Sequence, residues 1–313
     1  MLKFIVRRLA YGVVLVFAIT IVAFALLYSN SSGIARNILG QDATAQQVAA
    51  KAASLGLNHP LTSQYWTWLK DALHGNFGTS WFTSQPVRQT ITSRLQVTLT
   101  LVIGTTVLSA VVSVILGVLA AVRRGAADRV VQLISIMGFA VPGFLVALLF
   151  VTVFAIDLHW FSPTGYTSIG TSIRGWLSTV TLPILALSVG SIAGVSQQIR
   201  GSVIDGLNQD YVRTLRTRGL SQKRIVFKHV LRNSGGPALA ILALQFVGLL
   251  GGVVVVEDVF AIPGIGGIAV LSTTEGDIPL VMGLVVATGI IVVVVNLLVD
   301  IGQGLLNPKV RLG

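Results

Sequence analysis

The chain contains 313 residues, of which 53% are hydrophobic and 11% are charged, and its mean hydropathy is +0.84. Soluble globular domains carry about 25% charged residues, so this composition excludes an ordinary soluble domain and indicates a membrane protein. The chain has no cysteine, which excludes disulfide frameworks, thiolate metal sites and cysteine nucleophiles. A formal net charge of +11 raises nucleic-acid binding as an alternative, and the positions of the charges along the chain decide it.

Six long segments contain no Asp, Glu, Lys or Arg, and each exceeds the ~20 residues that a helix needs to cross a bilayer. The charged residues that bound them are Arg8 and Arg36, Arg94 and Arg123, Arg129 and Asp157, Arg174 and Arg200, Arg232 and Glu257, and Asp277 and Asp300. Because unpaired backbone groups are costly in lipid, we expect an all-α membrane protein with six transmembrane helices. Residues 1–29 are predicted to form the N-terminus and the first helix, 30–94 an extracytoplasmic insert, and 95–313 the core with the other five helices.

The orientation follows from the Lys and Arg residues, which are depleted in short translocated loops. With the N-terminus in the cytoplasm, sixteen of the 22 basic residues fall in segments predicted to be cytoplasmic, and eight of these lie between Arg200 and Arg232. Both termini and the segment at about 200–237 are therefore predicted to be cytoplasmic. Topology and contact with anionic membrane lipid explain the basic excess, so no nucleic-acid partner is expected.

Within the membrane the sequence favours a pathway that is not coupled to ions. Proton- and ion-coupled transporters place ionisable groups in the membrane, and the six segments contain no Asp, Glu, Lys or Arg. Pro142 and Pro183 lie inside the predicted third and fourth helices, where each permits a kink that either gating or packing would explain. The pairs Gly190-x3-Gly194 and Gly248-x3-Gly252 place small residues on one helical face, which lets neighbouring helices approach closely.

The segment from Arg200 to Pro237 is predicted to form two short amphipathic helices around a break at Gly219-Leu220-Ser221. Gly219 can adopt the left-handed conformation that ends a helix, Ser221 can cap the next helix, and Asp210 can open the first one. Apolar and basic residues alternate along both helices, the apolar ones being Val212, Leu215, Ile225, Phe227, Val230 and Leu231, and the basic ones Arg213, Arg216, Arg218, Lys223, Arg224, Lys228 and Arg232. One face can therefore pack against the protein while the other meets water, lipid headgroups or a partner.

A recognisable motif in this segment reads Asp210-Tyr211-Val212-Arg213-Thr214-Leu215-Arg216-Thr217-Arg218-Gly219-Leu220, followed by Arg224-Ile225, His229, Asn233 and Pro237. It resembles the cytoplasmic signature loop of ABC importer permeases, the EAA loop, in the peptide and nickel branch. Other stretches are similar to the B-type permease of dipeptide and oligopeptide importers, namely Met1 to Leu9, Gly56-Leu57-Asn58-x-Pro60-Leu61, Gly75-Asn76-Phe77-Gly78-x-Ser80, Glu257 to Gly266, and Asn296 to Asp300 with Asn307-Pro308-Lys309. The sequence departs from the family's pattern at Leu215 and Thr217, where alanines are usual, and at Arg218, where lysine is common.

The resemblance implies a type I ABC importer permease fold, a location in the bacterial inner membrane, and three kinds of partner. These are a homologous C-type permease, two cytoplasmic ATPase subunits or one fused ATPase, and an extracytoplasmic solute-binding protein. In the family the signature loop docks into a groove on the ATPase, which implies a coupling role for Asp210, Tyr211, Arg213, Leu215, Arg216, Arg218, Gly219, Leu220 and Arg224. The chain has no G-x4-G-K-[ST] phosphate-binding loop, so ATP and Mg²⁺ are expected on the ATPase partners, and no catalytic residue, cofactor or metal is expected in this chain.

A second candidate site is the predicted outer loop that contains Glu257, Asp258, Pro263 and Gly264, and it is expected to lie near the transport pathway. Glu275 and Asp277 add to its negative charge. That charge would attract a peptide amino group or the surface of a binding protein. Ordinary solvation of a loop explains each carboxylate equally well.

Two functions of other classes remain open from the residues alone. An intramembrane protease needs a membrane serine within reach of a histidine. The candidate serines are Ser109, Ser113, Ser135, Ser188 and Ser191, whereas His59, His74, His159 and His229 all fall outside the uncharged membrane segments. A structural membrane scaffold would explain six helices but not the basic two-helix segment. Within the importer class, dipeptides, oligopeptides, glutathione, nickel chelates and haem are all compatible substrates.

Overall fold

The structure is a computed structural model that describes residues 2–28, 31–123 and 125–306. The remaining residues, Met1, Ser29, Asn30, Arg124 and 307–313, lie outside the described part of the chain. The predicted cytoplasmic C-terminus and the Asn307-Pro308-Lys309 motif fall on the last of these.

The described residues form thirteen α-helices, and they contain no β-structure other than an isolated bridge between Thr79 and Pro86. In chain order the helices are α1 (Leu2–Tyr28), α2 (Ser31–Leu39), α3 (Ala45–Ser54), α4 (Leu61–Leu73), α5 (Val87–Val122), α6 (Ala126–Ala140), α7 (Gly143–Phe150), α8 (Ile173–Leu207), α9 (Asp210–Thr217), α10 (Gln222–Arg224), α11 (Leu231–Val259), α12 (Ile265–Glu275) and α13 (Ile278–Leu306). Two π-helical segments, Val151–Asp157 and Ile225–Val230, directly follow α7 and α10. The predicted all-α class is confirmed.

Within the described part of the chain, five helical stretches are long and apolar enough to cross a membrane, and a bent pair makes a sixth if it is counted as one span. The five are Lys3–Tyr28, Val87–Val122, Ile173–Leu207, Gln222–Val259 and Ile278–Leu305. They coincide with five of the six uncharged segments. Each extends past at least one charge that bounds its segment, because a helix continues where its side chains leave the hydrocarbon. The predicted end of the insert at residue 94 accordingly lies inside α5.

The third uncharged segment is sharply broken. Its two halves, Asp128–Ala140 and Gly143–Asp157, meet at 94° across Val141 and Pro142. Val141 is extended, with φ −85° and ψ 121°, because a residue before proline disfavours the α conformation. Pro142 precedes the first turn of α7, so the prediction that it lies inside a helix is wrong. Pro183 does lie inside α8, where it is buried.

The chain divides into two compact units, residues 2–97 with 264–294 and residues 98–263 with 295 onward. In the first unit, the insert packs onto α1 through aromatic residues. The Tyr65 hydroxyl lies 3.0 Å from the Thr20 hydroxyl of α1, and the Tyr65 ring meets the Phe24 ring edge-on at 5.3 Å. The buried members of this core are Phe24, Ile34, Leu57, Tyr65, Ile278 and Met282.

In the second unit, α6, α7 and α11 pack against α8. Small residues bring other helices close to it. A Cβ on Gly117 of α5 would lie 2.8 Å from the Ser196 carbonyl oxygen, and one on Gly138 of α6 would lie 3.3 Å from the Ala193 Cβ. The hydroxyls of Ser135 and Ser196 are also within hydrogen-bond distance, at 3.2 Å. Close packing and interhelical hydrogen bonds are the interactions that hold helices together in lipid.

Candidate functional site

The predicted loop at 200–237 is shorter in the structure, because α8 continues to Leu207 and α11 begins at Leu231. The segment packs onto α5 and α8 through one apolar cluster. Its ten buried members are Val118, Ala121, Val195, Ile199, Val203, Leu207, Val212, Ile225, Val226 and Val230. Leu215 and Leu220, on either side of Gly219, pack against the same cluster. Burial of a Val or Ile side chain stabilises a fold by about 1.5–3 kcal/mol, so the loop is held firmly on these helices.

The opposite face of the loop is basic and exposed. It carries Arg213, Arg216, Arg218, Lys223, Arg224 and Lys228, together with Asp210. The Arg213 and Asp210 side chains are 79% and 97% exposed, and the 3.7 Å between Nη1 and Oδ1 makes only a weak surface pair. The residues predicted to dock thus fall into two sets. Tyr211, Leu215 and Leu220 lie against the apolar cluster, and the charged residues face outward.

Phe227 belongs to the exposed face as well, with 64% of its surface accessible. The sequence predicts it among the packing residues, and that prediction is wrong. Val226 and Val230 fill the inner face of the π-helical segment, which leaves Phe227 directed outward. Aromatic residues and arginine are enriched at the centres of protein interfaces, so a ring among six cations has the composition of a contact surface.

Gly219 ends α9 in the left-handed conformation, with φ +79°, as the sequence predicts. The Gly219 N–H donates to the Arg216 carbonyl at 2.9 Å, and the Leu220 N–H donates to the Leu215 carbonyl at 3.2 Å, which is a Schellman motif. No described atom lies within 4 Å of the position that a Cβ on Gly219 would take. A side chain there would strain φ without a clash.

The two helices of this loop begin where the sequence predicts, but neither start has a side-chain capping bond. The helix α9 begins at Asp210, but its N-cap position is Gln209, and Ser221 is the N-cap of α10 without a side-chain capping bond. Packing of the apolar cluster, rather than capping, therefore fixes where these short helices begin.

An ion pair that the sequence analysis misses ties α6 to the same end of α8. The Asp128 carboxylate accepts hydrogen bonds from Arg200 Nε at 2.5 Å and from Arg200 Nη2 at 2.7 Å. The side chains are 17% and 23% exposed, and such bidentate contacts combine strength with a fixed geometry. The one available signal is that Asp128 is an acid within a basic stretch, which does not reveal its distant partner.

At the far end of α11, Glu257 is buried instead of lying in a solvated loop. Its exposure is 1%, and Thr98 Oγ1 donates a hydrogen bond to Glu257 Oε1 at 2.5 Å. The prediction of an outer loop beginning at Glu257 is therefore wrong, because α11 continues to Val259. Asp258, in the same turn, is exposed. Of the two residues predicted near the pathway after this helix, Pro263 is exposed and Gly264 is buried.

Comparison with known proteins decides the family. Residues 113–312 match the family model described as the inner membrane component of binding-protein-dependent transport systems, and residues 1–102 match the N-terminal model of such membrane components. The chain belongs to this family. It is a multi-pass permease subunit of an ABC importer in the bacterial inner membrane. Permeases of this family generally act with ATPase subunits and a substrate-binding protein.

The permease is similar to curated proteins over nearly its whole length. A probable peptide ABC transporter permease of Sinorhizobium fredii is 38% identical over 309 residues, which are 98% of this chain and 99% of the relative. The glutathione transport system permease GsiC of Escherichia coli is 33% identical over 312 residues, covering 99% of each chain. A putative peptide transport system permease of Brucella abortus has the same identity and coverage.

The fold of the permease is similar to that of a chain in a solved structure, an inward-facing form of the MetNI methionine ABC transporter. The TM-score is 0.55 at 16% sequence identity, and the match covers 69% of this chain and 96% of that chain. At this identity the likeness concerns the fold alone. Together with the family, it identifies the type I importer permease fold that the sequence predicts.

Three of the five candidate membrane serines donate hydrogen bonds to helix carbonyls, whereas the hydroxyls of Ser109 and Ser191 are buried without a partner among the described residues. In the described part of the chain, Ser113 donates to the Ile192 carbonyl, Ser188 to the Ile184 carbonyl, and Ser135 to the Val131 carbonyl. None of the five candidate serines bonds to a described histidine. The family and the fold support the importer interpretation and neither of the two alternatives.

Proposed function

We propose that the permease imports peptides, and that its 200–237 loop docks on the cytoplasmic ATPase subunits. The observation that carries this proposal is the division of the loop into a buried apolar face and an exposed basic surface that also contains Phe227. A loop of this kind can bind a partner on one side while it transmits the partner's movement through the other. The residues proposed to contact the ATPase are the exposed members of the predicted set, extended by Lys223, Phe227 and Lys228. The exposed members are Asp210, Arg213, Arg216, Arg218, Gly219 and Arg224. The other three, Tyr211, Leu215 and Leu220, pack on the inner side of the loop.

The basic face selects an acidic partner surface. Exposed Arg and Lys side chains contribute little in water, but across an interface they attract carboxylates and suppress binding to basic surfaces. The expected recess on the ATPase is therefore acidic at its rim and apolar where Phe227 would enter. Hydrolysis of ATP, with Mg²⁺, belongs to those ATPase subunits in this proposal, and the permease itself performs no bond chemistry.

The full transporter in this proposal contains four kinds of subunit. The permease pairs with a homologous C-type permease, the ATPase is supplied by two subunits or by one fused chain, and a solute-binding protein delivers the substrate from outside. The similar proteins named for peptide and glutathione transport favour a peptide substrate. Nickel chelates and haem are the competing substrates within the same branch.

The docking proposal is tested by a matched pair of glycine substitutions. Gly219 and Gly75 both follow the C-cap of a helix, with φ +79° and +78°, and neither has a described atom within 4 Å of an added Cβ. Gly219→Asp and Gly75→Asp therefore impose the same backbone strain, in the loop and in the insert respectively. Gly219→Asn is a milder third variant, because asparagine and aspartate tolerate the left-handed conformation similarly and asparagine adds no charge.

The permease pair and the ATPases are co-expressed, and the ATPase recovered with affinity-purified permease is measured. We expect Gly219→Asp to lose the ATPase while the permease pair stays assembled, and we expect Gly75→Asp and Gly219→Asn to retain it. Equal recovery for both aspartate variants would overturn docking through this loop. Absence of ATPase from the wild-type complex would overturn the proposed assembly itself.

A further inference from the structure

A cavity of about 420 Å³ lies between α6 and α8 in the second unit, and three of the seven residues that line it have polar side chains. The residues that line it are Gln132, Ser135, Ile136, Phe139, Ala193, Gly194 and Gln197. Both glutamines belong to stretches that are apolar enough to span the membrane. The lining contains two primary amides and no ionisable side chain.

A third glutamine reaches the same wall from α11. Gln245 Nε2 lies 3.2 Å from the point where a Cβ on Gly194 would stand, and Phe139 Cε2 lies at the same distance from that point. The absence of a side chain at Gly194 therefore leaves the space that Gln245 and Phe139 occupy. One and two turns beyond Gln245, Gly248 and Gly252 share its helical face, and neither has a described atom within 4 Å of an added Cβ.

The side-chain amides of Gln132, Gln197 and Gln245 have no hydrogen-bond partner among the described residues. Ser135, on the same wall, is by contrast bonded to the Val131 carbonyl and to the Ser196 hydroxyl. All three glutamines are half-buried, and an amide without a hydrogen bond is costly in an apolar environment, so their open side indicates contact with water, a ligand or a partner subunit. The hydrocarbon tails of lipids offer no hydrogen bond to an amide.

We propose that these three glutamines bind the backbone amide groups of a peptide substrate on its way through the permease. A glutamine side chain offers one carbonyl acceptor and an NH₂ donor, which match the N–H and C=O of a peptide unit. Because the wall has no charge, it does not select one substrate side chain. The inference rests on the proposed peptide function and deepens it by naming the substrate groups and the residues that receive them.

The first experiment measures access of water to the wall, and the absence of cysteine from the chain makes it direct. Single cysteines replace Gln132, Gln197 and Gln245, and control cysteines replace their buried neighbours Val131, Val195 and Ala243. Inside-out vesicles that contain the complete transporter are treated with a membrane-impermeant thiol reagent, and modification of this chain is followed by mass spectrometry. We expect the three glutamine positions to react and the three controls not to react. Protection of all six positions would overturn the proposal, because the amides would then face a packed interface.

The second experiment tests the substrate groups. Uptake of alanine peptides of two to five residues is compared with uptake of the same peptides carrying N-methylated backbone amides, in wild type and in the double variant Gln197→Leu/Gln245→Leu. Loss of one hydrogen bond between neutral groups lowers binding by about 2- to 10-fold. We expect the wild-type preference for unmethylated peptides to shrink by such a factor in the double variant. Selection by the binding protein is common to both transporters and cancels from this comparison.

The outcomes separate this inference from the proposed function. If the wild type takes up alanine peptides and the double variant keeps both the rate and the preference, the glutamine wall is not a peptide site and the proposed function stands. If the double variant loses uptake equally for both kinds of peptide, the glutamines act in packing and the inference is overturned. If the wild type takes up no peptide while the ATPases bind normally, the proposed substrate fails, and the inference fails with it.

Discussion

Asp277 is 1% exposed because two groups of the insert donate hydrogen bonds to its carboxylate. The Ser80 hydroxyl donates to Oδ2 at 2.5 Å, and the Trp81 N–H donates to Oδ1 at 3.2 Å. Asp277 also precedes the first residue of α13, where a negative charge interacts favourably with the helix dipole. One residue thus fixes the 80–81 turn to the start of a spanning helix within the first unit.

We predict that Asp277→Ala destabilises the permease by about 2–4 kcal/mol, since it leaves two donors without their charged acceptor. The matched control is Asp258→Ala, at an exposed carboxylate, which we expect to leave stability close to that of the wild type. The measurement is the midpoint of thermal unfolding in detergent. Equal midpoints for the two variants would contradict a structural role for Asp277.

At the residue scale, the sequence predicts a residue's conformation well when its neighbours along the chain determine it. It predicts a residue's burial poorly when partners far away along the chain determine it. Gly219 is predicted correctly because glycine and its neighbours suffice to specify a left-handed cap. The burial of Glu257 and Asp277 is not predicted from the sequence, because their hydrogen-bond donors Thr98 and Ser80 lie 159 and 197 residues away along the chain. The sequence alone does not show which hydroxyl group hydrogen-bonds to a carboxylate in the folded chain, so both carboxylates are predicted to be solvated.

At the scale of helices, glycine acts through the space it leaves. Gly117 of α5 is so close to α8 that an added Cβ would lie 2.8 Å from a backbone oxygen and 2.9 Å from the Ile199 Cβ. Gly201 of α8 has no described atom within 4 Å of its own added Cβ. Both are helical, so the same substitution tests packing at one position and helix propensity at the other.

We predict that Gly117→Ala destabilises the permease by about 1–3 kcal/mol through overpacking. Gly201→Ala is expected to stabilise it by about 0.5–1 kcal/mol, because alanine has the higher helix propensity and meets no neighbour. Thermal unfolding of the purified variants distinguishes the two signs. Stabilisation by both substitutions would show that α5 and α8 are less closely packed than described here.

The Asp128 and Arg200 pair gives a third prediction. A double-mutant cycle with alanine at each position should yield a coupling of about 1–2 kcal/mol, reduced from the value for a fully buried pair by its partial exposure. The same cycle at the exposed Asp210 and Arg213 pair should yield a coupling near zero. Similar couplings in both cycles would contradict the view that the first pair holds α6 to α8.

Helix number is predictable here because charge-free length is a strong signal, and five of the six segments are single helices. The third is not, since Val141 and Pro142 redirect the chain by 94°. A proline in a sequence indicates a missing hydrogen bond, but whether the helix kinks or breaks depends on which neighbours satisfy the freed groups. Here the neighbours of the break are tertiary contacts, since both α6 and α7 pack against α8. The sequence does not show these contacts.

At the scale of the whole molecule, two long helices of the second unit lead away from the 200–237 loop. The helix α8 ends within this segment at Leu207, and α11 begins within it at Leu231. Beyond the other end of α11, the Phe260 carbonyl accepts a hydrogen bond from the Gly165 N–H at 2.8 Å. The loop motif was sufficient to predict the importer class. The glutamine wall was not predictable, because it draws Gln132, Gln197 and Gln245 from three separate helices.

The central claim is that ATPase action reaches the permease through the Gly219 loop. The most direct test is ATP-dependent peptide uptake in proteoliposomes that contain both permeases, the ATPases and the binding protein, with wild type, Gly219→Asp and Gly75→Asp compared. The account predicts that uptake falls to the ATP-free background for Gly219→Asp and stays near the wild-type rate for Gly75→Asp. Uptake that persists in Gly219→Asp at the rate of Gly75→Asp would contradict it.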